Sequence, residues 1–320
     1  MKSLEPMRAE RLFTPFIDSV DGTLCLPASA TAAQIRAMIS ERRMRFPLLL
    51  DASATLQEHT SASAYTPASC RFGPYCDNIL GINWRLPSGR VARIGERVVK
   101  TTTGYDWLRF LLHSGKRYGE PVDYVLRLRP DCGFNLVAYF DGNPEVLQSA
   151  VHQLLHSGWM HWWDAVDFIA EGRSVSVRVV VHCPSEEARI FEQELLRVAT
   201  ATSARLRLER PARDTAVLQP PFDGLPDVAV KTTPDRAISL AIALSNDAET
   251  CTALCYNGVV HVQLCKGNDI AERAHAILQP HLSELHTVGG DWHSRWLPAT
   301  PPGIIESQWI EVLEQTIHAN

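Results

Sequence analysis

The sequence predicts an α+β protein of two modules, and three observations lead there. Apolar positions switch repeatedly between the period of a strand and that of a helix, so strands and helices alternate. The pattern changes after Asp131-Cys132-Gly133, which places a boundary near residue 132 and divides the chain into 1–131 and 132–320. A length of 320 residues fits two domains at about 150 residues each. A chain of this size buries about three-quarters of its surface and needs no disulfide or metal to fold.

With 45% apolar and 21% charged residues the composition is globular rather than disordered. A net charge of −5 offers no electrostatic footprint for nucleic acid or an anionic membrane. No apolar run approaches the roughly 18 residues of a membrane-spanning helix. Lys2, Glu5, Arg8, Glu10, Arg11 and Asp18 are scattered where a secretory signal needs an apolar stretch, so the expected location is the cytoplasm. The eight cysteines form no CxxC pair and no zinc-type cluster, and are expected to be reduced thiols.

In the first module, Thr31 and Gln34 form a capping box ahead of Ile35, Met38 and Ile39, and Pro47 stops that helix. Residues 46–50 read as a buried strand. Residues 51–70, rich in Ala, Ser and Thr without a sustained apolar period, read as a long irregular connection. Strands at 79–86 and 90–94 flank a Pro87-Ser88-Gly89 turn as a hairpin. A helix over 105–113 and a strand over 121–129 close the module. In the second module, strands are expected at 134–140, 174–182 and 204–209, and helices at 144–156 and 185–200. Short strand-like segments follow at 239–244, 252–256 and 259–264, then helices over 269–278 and 306–318. Sheets covered by helices on one face are the expected architecture.

Residues 71–130 carry the most specific pattern. Its pieces are Gly73, Asp77-Asn78-Ile79-Leu80-Gly81, Pro87-Ser88-Gly89-Arg90, Gly95, Val98-Val99-Lys100, Gly104-Tyr105-Asp106, and Ser114-Gly115 with Gly119. In this order they resemble the FAD-linked oxidases with a PCMH-type flavin domain, most of all the E subunit of glycolate oxidase. Shorter echoes carry the likeness across most of the chain. Pro27 with residues 31–43 resembles the family's opening βα unit. The run Tyr256-Asn257-Gly258-Val259-Val260-His261, with Val288-Gly289-Gly290 and Leu297-Pro298, resembles its cap domain.

The resemblance implies a shortened PCMH-type FAD-binding domain followed by an α+β cap. It implies FAD as the cofactor that brings the redox chemistry, a small hydroxy acid such as glycolate as substrate, and entry between the two domains. Gly73, Asp77, Gly81, Lys100, Gly104, Tyr105, Asp106, Gly115 and Gly119 would then line the flavin site. Glycine suits that role because bare backbone N–H groups can approach phosphate oxygens. Gly115 and Gly119 equally fit the end of a helix. His261 is the candidate acid or base, since an unperturbed imidazole titrates near 6.5. Its alternation with Val260 and Val262 equally fits an ordinary strand histidine.

Three departures from the family bear on the cofactor. Only residues 48–70 separate Pro47 from Arg71, and none of them is glycine. Asp51-Ala52-Ser53-Ala54-Thr55 stands where the family has its glycine-rich phosphate loop, and an aspartate there would repel a diphosphate. Lys116-Arg117-Tyr118-Gly119-Glu120-Pro121 is unlike the family's equivalent, and the tail lacks the family's closing segment. Two functions follow as expectations. One is a subunit of an FAD-linked 2-hydroxy-acid oxidase or dehydrogenase. The other is a flavin-free, non-catalytic subunit that stabilises a flavin- or iron-sulfur-bearing partner.

Two further clusters stand out. His152, His156 and His161 read as surface histidines, with no metal assigned. Trp159, Trp162 and Trp163 read as core packing, or as an anchor for a partner.

Overall fold

Among the described residues the chain builds two large antiparallel sheets in succession, of five strands within residues 16–127 and of eight within 134–294. The computed structural model describes residues 15–49, 51–63, 65–95, 107–113, 118–211, 224–265, 270–281 and 291–294. The expected tail helix over 306–318 lies outside them.

The first module begins with the hairpin β1 (Phe16–Asp18) and β2 (Thr23–Pro27), then α1 (Ala32–Ser40) under the Thr31–Gln34 capping box. β3 (Met44–Arg45), α2 (Leu56–Ala62) and α3 (Ser69–Phe72) follow. β4 (Ile79–Arg85), β5 (Val91–Gly95), α4 (Trp107–His113), β6 (Glu120–Arg127) and β7 (Arg129–Pro130) complete it. The sheet order is β1-β2-β6-β4-β5, and β3 with β7 makes a separate ribbon. Leu24, Leu26, Ile35, Leu48, Trp84 and Tyr124 fill its core. Pro121 pairs with Trp84 where the β4–β6 register slips, a position at which its missing N–H is tolerated.

The second module runs through β8 (Phe134–Asp141), α5 (Pro144–Leu155), β9 (Trp163–Glu171), β10 (Ser174–Cys183), α6 (Ala188–Thr202) and β11 (Arg205–Glu209). It continues with β12 (Val228–Lys231), α7 (Pro234–Leu244), β13 (Thr250–Leu254), β14 (Val259–Gln263), α8 (Ile270–Leu278) and β15 (Asp291–Ser294). Its eight strands lie in the order β11-β8-β10-β9-β13-β14-β12-β15. One face meets the helices through Phe140, Phe168, Val177, Val179 and Val262, against Leu147, Leu154, Phe191, Leu195 and Leu244. Strand alternation therefore sends Tyr139, Asp167, Arg178, His182, Thr252 and His261 to the other face.

Four expectations need correcting. Residues 46–49 are not a strand: Leu48 and Leu49 are buried in a turn, where the Tyr75 hydroxyl donates to the Leu48 carbonyl. Residues 51–70 are not irregular, since they hold α2 and α3. The apolar period of α2 is two turns long, too short to register, although Leu56, His59 and Ala62 all face inward. Residues 239–244 are the end of α7, which starts at Pro234 with proline in its first turn. Strand β9 was hidden because Asp164 and Asp167 interrupt its apolar run, and both are buried. The sheet is also covered on both faces where the first module packs against it, as α3 does against β9.

The tryptophan cluster is core packing around one ring. Trp159, Trp162 and Trp163 surround Phe191 of α6 at centroid distances of 5.6, 5.7 and 6.0 Å. Trp163 is fully buried, and its indole N–H donates to the Leu154 carbonyl at 3.0 Å. His152 and His156 stack on α5 with centroids 4.1 Å apart.

Candidate functional site

Two places could hold chemistry: the segment where the resemblance expects a phosphate loop, and the inner polar face of the large sheet. At the first, α1 and α2 meet N-terminus to N-terminus through a bridge between Thr31 and Thr55. A helix N-terminus ordinarily offers unpaired N–H groups to an anion. Here the chain takes all of them. The N–H groups of Ala32 and Ala33 donate to the carbonyls of Ala54 and Ala52 at 3.0 and 2.9 Å. Those of Leu56 and Gln57 donate to Ala30 and Ala28 at 3.0 and 3.1 Å. The third N–H of each helix goes to its own cap, Gln34 to Thr31 Oγ1 and Glu58 to Thr55 Oγ1. Each cap's N–H returns to the side chain of Gln34 or Glu58.

The loop between them carries its own anion. Asp51 Oδ1 accepts from the Ser53 N–H at 2.6 Å, the Ser53 hydroxyl at 2.7 Å and the Ala54 N–H at 3.3 Å. Burial works against the charge of Asp51, but these hydrogen bonds and nearby His59 outweigh it and hold the carboxyl below its usual range. The Asp51 N–H donates to His59 Nε2 at 3.0 Å, and His59 Nδ1–H to the Thr55 carbonyl at 2.8 Å. Burial pushes the His59 imidazole down, so it serves as a neutral brace. Arg36, whose pKa is lowered by burial, has Asp51 as its opposing negative charge. A diphosphate would find the helix-terminal donors already bonded and the carboxylate of Asp51 beside them, so the described residues do not fit the dinucleotide there.

Among the described residues, the packing around Gly73, Gly81 and Gly119 comes from the chain itself. Gly73 ends α3 with φ +76°, and a Cβ on it would come 2.8 Å from the Asp77 carboxylate, which receives the Arg109 guanidinium. Gly81 lies within β4, opposite Gly95 and Val125. Gly119 has φ +119°, and a Cβ there would overlap the Arg85 carbonyl at the far end of β4. Gly73 and Asp77 thus sit at one end of that strand and Gly119 at the other, about 20 Å apart. No single phosphate meets both ends. Lys100, Gly104, Tyr105, Asp106 and Gly115 lie outside the described residues.

His261 lies on the inner face of β14, wholly buried, with Nε2 3.0 Å from the Ser63 hydroxyl. Burial drives its pKa down to about 4 against a hydrogen bond with the Tyr65 backbone. It is therefore neutral near pH 7. Beside it, Lys231 stands 4.8 Å over the Tyr65 ring and donates to the Asn257 carbonyl, and desolvation lowers its pKa. Farther along the same face, Arg178 holds Asp167 Oδ2 at 2.6 and 3.1 Å, while Asp167 Oδ1 and Thr252 Oγ1 are buried without a hydrogen-bond partner among the described residues. Burial raises Asp167 despite Arg178. Ser63, Tyr65 and Ser69 reach this region from the first module. Sequence reasoning named only His261 here. A charged residue inside an apolar strand, Asp167 or Arg178, was the available signal for the rest.

Between the two regions runs a charged joint. Buried Asp164 takes Arg45 on Oδ2 at 2.6 Å and Arg71 on Oδ1 at 2.7 Å. Both guanidiniums and that of Arg129 lie over the Phe72 ring at 5.2 to 5.4 Å. His182 Nε2 accepts the Cys132 N–H at 2.8 Å, and burial, then Arg45, lowers its pKa to about 4.

No family model matches the chain. Over 108 residues it is 27% identical to uncharacterized FAD-linked oxidoreductases from two strains of Mycobacterium tuberculosis. That stretch spans 33% of this chain and 23% of each relative. Among solved structures, the BBE-like 1 protein of Physcomitrella patens superposes with a TM-score of 0.61 at 12% identity, covering 86% of this chain and 69% of that one. A VAO-type flavoprotein of Myceliophthora thermophila gives 0.62 at 12% identity, over 85% and 59%. The xylooligosaccharide oxidase of the same fungus gives 0.62 at 11%, over 94% and 74%. The chain has the fold of these VAO- and BBE-type FAD-binding proteins. No described helix is long and apolar enough to cross a membrane.

Proposed function

We propose that this chain is a subunit of an FAD-linked oxidoreductase assembly that does not itself hold the flavin, and stabilises a flavin- or iron-sulfur-bearing partner. One observation carries the reading: the N–H groups of both helix N-termini, and those of Asp51, Ser53 and Ala54 between them, are bonded to the chain's own carbonyls, caps, His59 and Asp51. A diphosphate entering there would have to break those bonds and sit beside a carboxylate, each a cost with no compensating donor. The fold shared with VAO-type flavoproteins and the local likeness to the mycobacterial FAD-linked oxidoreductases support a flavin-linked ancestry.

A second reading is a flavin-bearing 2-hydroxy-acid oxidase or dehydrogenase of glycolate oxidase type. The buried His261, neutral and beside the Ser63 hydroxyl, favours it. Purification of the full chain with FAD separates the two. A colourless chain that forms a stoichiometric complex with a coexpressed flavin or iron-sulfur subunit supports the first reading. The visible bands of an oxidised flavin on the isolated chain overturn it.

A further inference from the structure

Three guanidiniums from separate elements crowd one aromatic ring at the module joint. Arg45 of β3 and Arg129 of β7 are direct partners across the two-stranded ribbon, and Arg71 comes from α3. All three stand 5.2 to 5.4 Å from the Phe72 centroid, so no two are more than about 11 Å apart, close enough to repel at physiological salt. Like charges directly opposite on paired strands destabilise the pairing, yet this ribbon carries arginine on both sides.

The protein supplies too little acceptor for them. Asp164 neutralises one charge, taking one N–H from Arg45 and one from Arg71. Arg71 also reaches the His182 carbonyl at 3.3 Å, and Arg129 reaches the side-chain oxygen of Asn78 at 2.9 Å. The Nε atoms of Arg45 and Arg129 are buried with no hydrogen-bond partner among the described residues. The acids flanking the cluster in sequence are engaged: Asp77 receives Arg109, and Asp131 lies 3.1 Å from His182 and accepts the Gly133 N–H. Burial, and then the charges of Arg127, Arg45 and Arg71, lower the pKa of Arg129, which brings a fourth guanidinium into the group. In a chain of net charge −5 this is a local excess of the opposite sign.

The excess decides the ligand class. A guanidinium fork matches the oxygens of a carboxylate or a phosphate. A monocarboxylate has one charge and two oxygens in one plane, and would leave most of the excess in place. A tetrahedral dianion offers oxygens in several directions to donors that arrive from β3, α3 and β7, and brings the cluster close to neutrality. The side chains of Arg45 and Arg71 are 15% and 22% exposed, so solvent reaches the cluster.

We propose that Arg45, Arg71, Arg127 and Arg129 together bind a phosphate dianion, free or carried on a monoester, whether or not the chain carries a flavin. The test titrates the full chain by calorimetry with inorganic phosphate, glycerol 3-phosphate and glycolate, at low salt and at mildly alkaline pH, where phosphate is a dianion. Saturable binding of a phosphate is expected, about tenfold or more tighter than that of glycolate, together with a rise in melting temperature. Arg129→Gln and Arg127→Gln should each weaken it about tenfold or more, whereas Arg189→Gln, at an exposed position on α6, should leave it unchanged. Neither Arg127 nor Arg129 bonds to Asp164, so the joint and the fold, checked by thermal melting, are expected to persist. Tighter binding of glycerol 3-phosphate assigns the site to a monoester, and tighter binding of inorganic phosphate assigns it to the free ion. Absence of saturable binding by both phosphates, glycolate binding as tightly, or an equal effect of Arg189→Gln and the two cluster variants overturns the proposal.

Discussion

The two polar regions of this molecule solve the problem of buried hydrogen-bonding groups in opposite ways. Around residues 51–55 every donor of two helix first turns has an acceptor supplied by the chain itself. On the inner face of the large sheet, Asp167 Oδ1 and Thr252 Oγ1 are buried with no hydrogen-bond partner among the described residues. A region whose groups are satisfied internally gains stability and has nothing left to offer a ligand, whereas buried groups short of partners are where binding or reactivity persists. The 51–55 segment therefore has its helix-terminal donors matched, while the sheet face keeps buried polar atoms unmatched among the described residues.

That contrast can be broken first at the joint linking the two regions. Asp164→Ala strands two guanidiniums that are mostly shielded from water, and should cost about 3–5 kcal/mol in urea unfolding. A loss below about 1 kcal/mol would mean that the joint does not hold the modules together.

Next comes acid. His261 and His182 bind a proton more weakly folded than unfolded, both near 4. Their contribution is complete above about pH 6.5 and is lost as pH falls through about 4. His261 accounts for roughly 3 kcal/mol of that decline. His261→Gln should flatten the stability profile between those limits, and an unchanged slope would show that the sheet face already admits a charged imidazole.

Gly119→Ala should cost about 2–3 kcal/mol, since it adds a Cβ at φ +119° against the Arg85 carbonyl. At Gly89, where a Cβ meets nothing within 4 Å, alanine should cost only about 1 kcal/mol. Equal losses at the two positions would refute the packing role given to Gly119.

The smallest effect belongs to Asp51. Its carboxyl titrates below its unfolded value, so its stabilisation is present above about pH 4 and fades as pH falls below that. Asp51→Asn should lower stability by about 1 kcal/mol near neutrality and reduce its acid sensitivity.

Much of the architecture was legible in the sequence. The Thr31–Gln34 box, the hairpin around Gly89 and the long periodic α5 and β10 carry local signals strong enough to survive packing. What escaped is where tertiary contacts overrule pattern. α2 is too short to show its period, and β9 breaks its apolar run with aspartates whose partners, Arg45, Arg71 and Arg178, are distant in sequence or on the next strand. The missing glycine at 51–55 was visible, but the reciprocal capping of α1 and α2 was not, because it is made by backbone groups that any sequence possesses.

Fluorescence titration of FAD into the isolated full chain tests the matched donors of the 51–55 segment most directly. The structure predicts no saturable change at cofactor concentrations that load flavoproteins, with the Asp51–Ser53 contacts undisturbed. Stoichiometric quenching of the flavin, with a dissociation constant of about 1 μM or below, would contradict it.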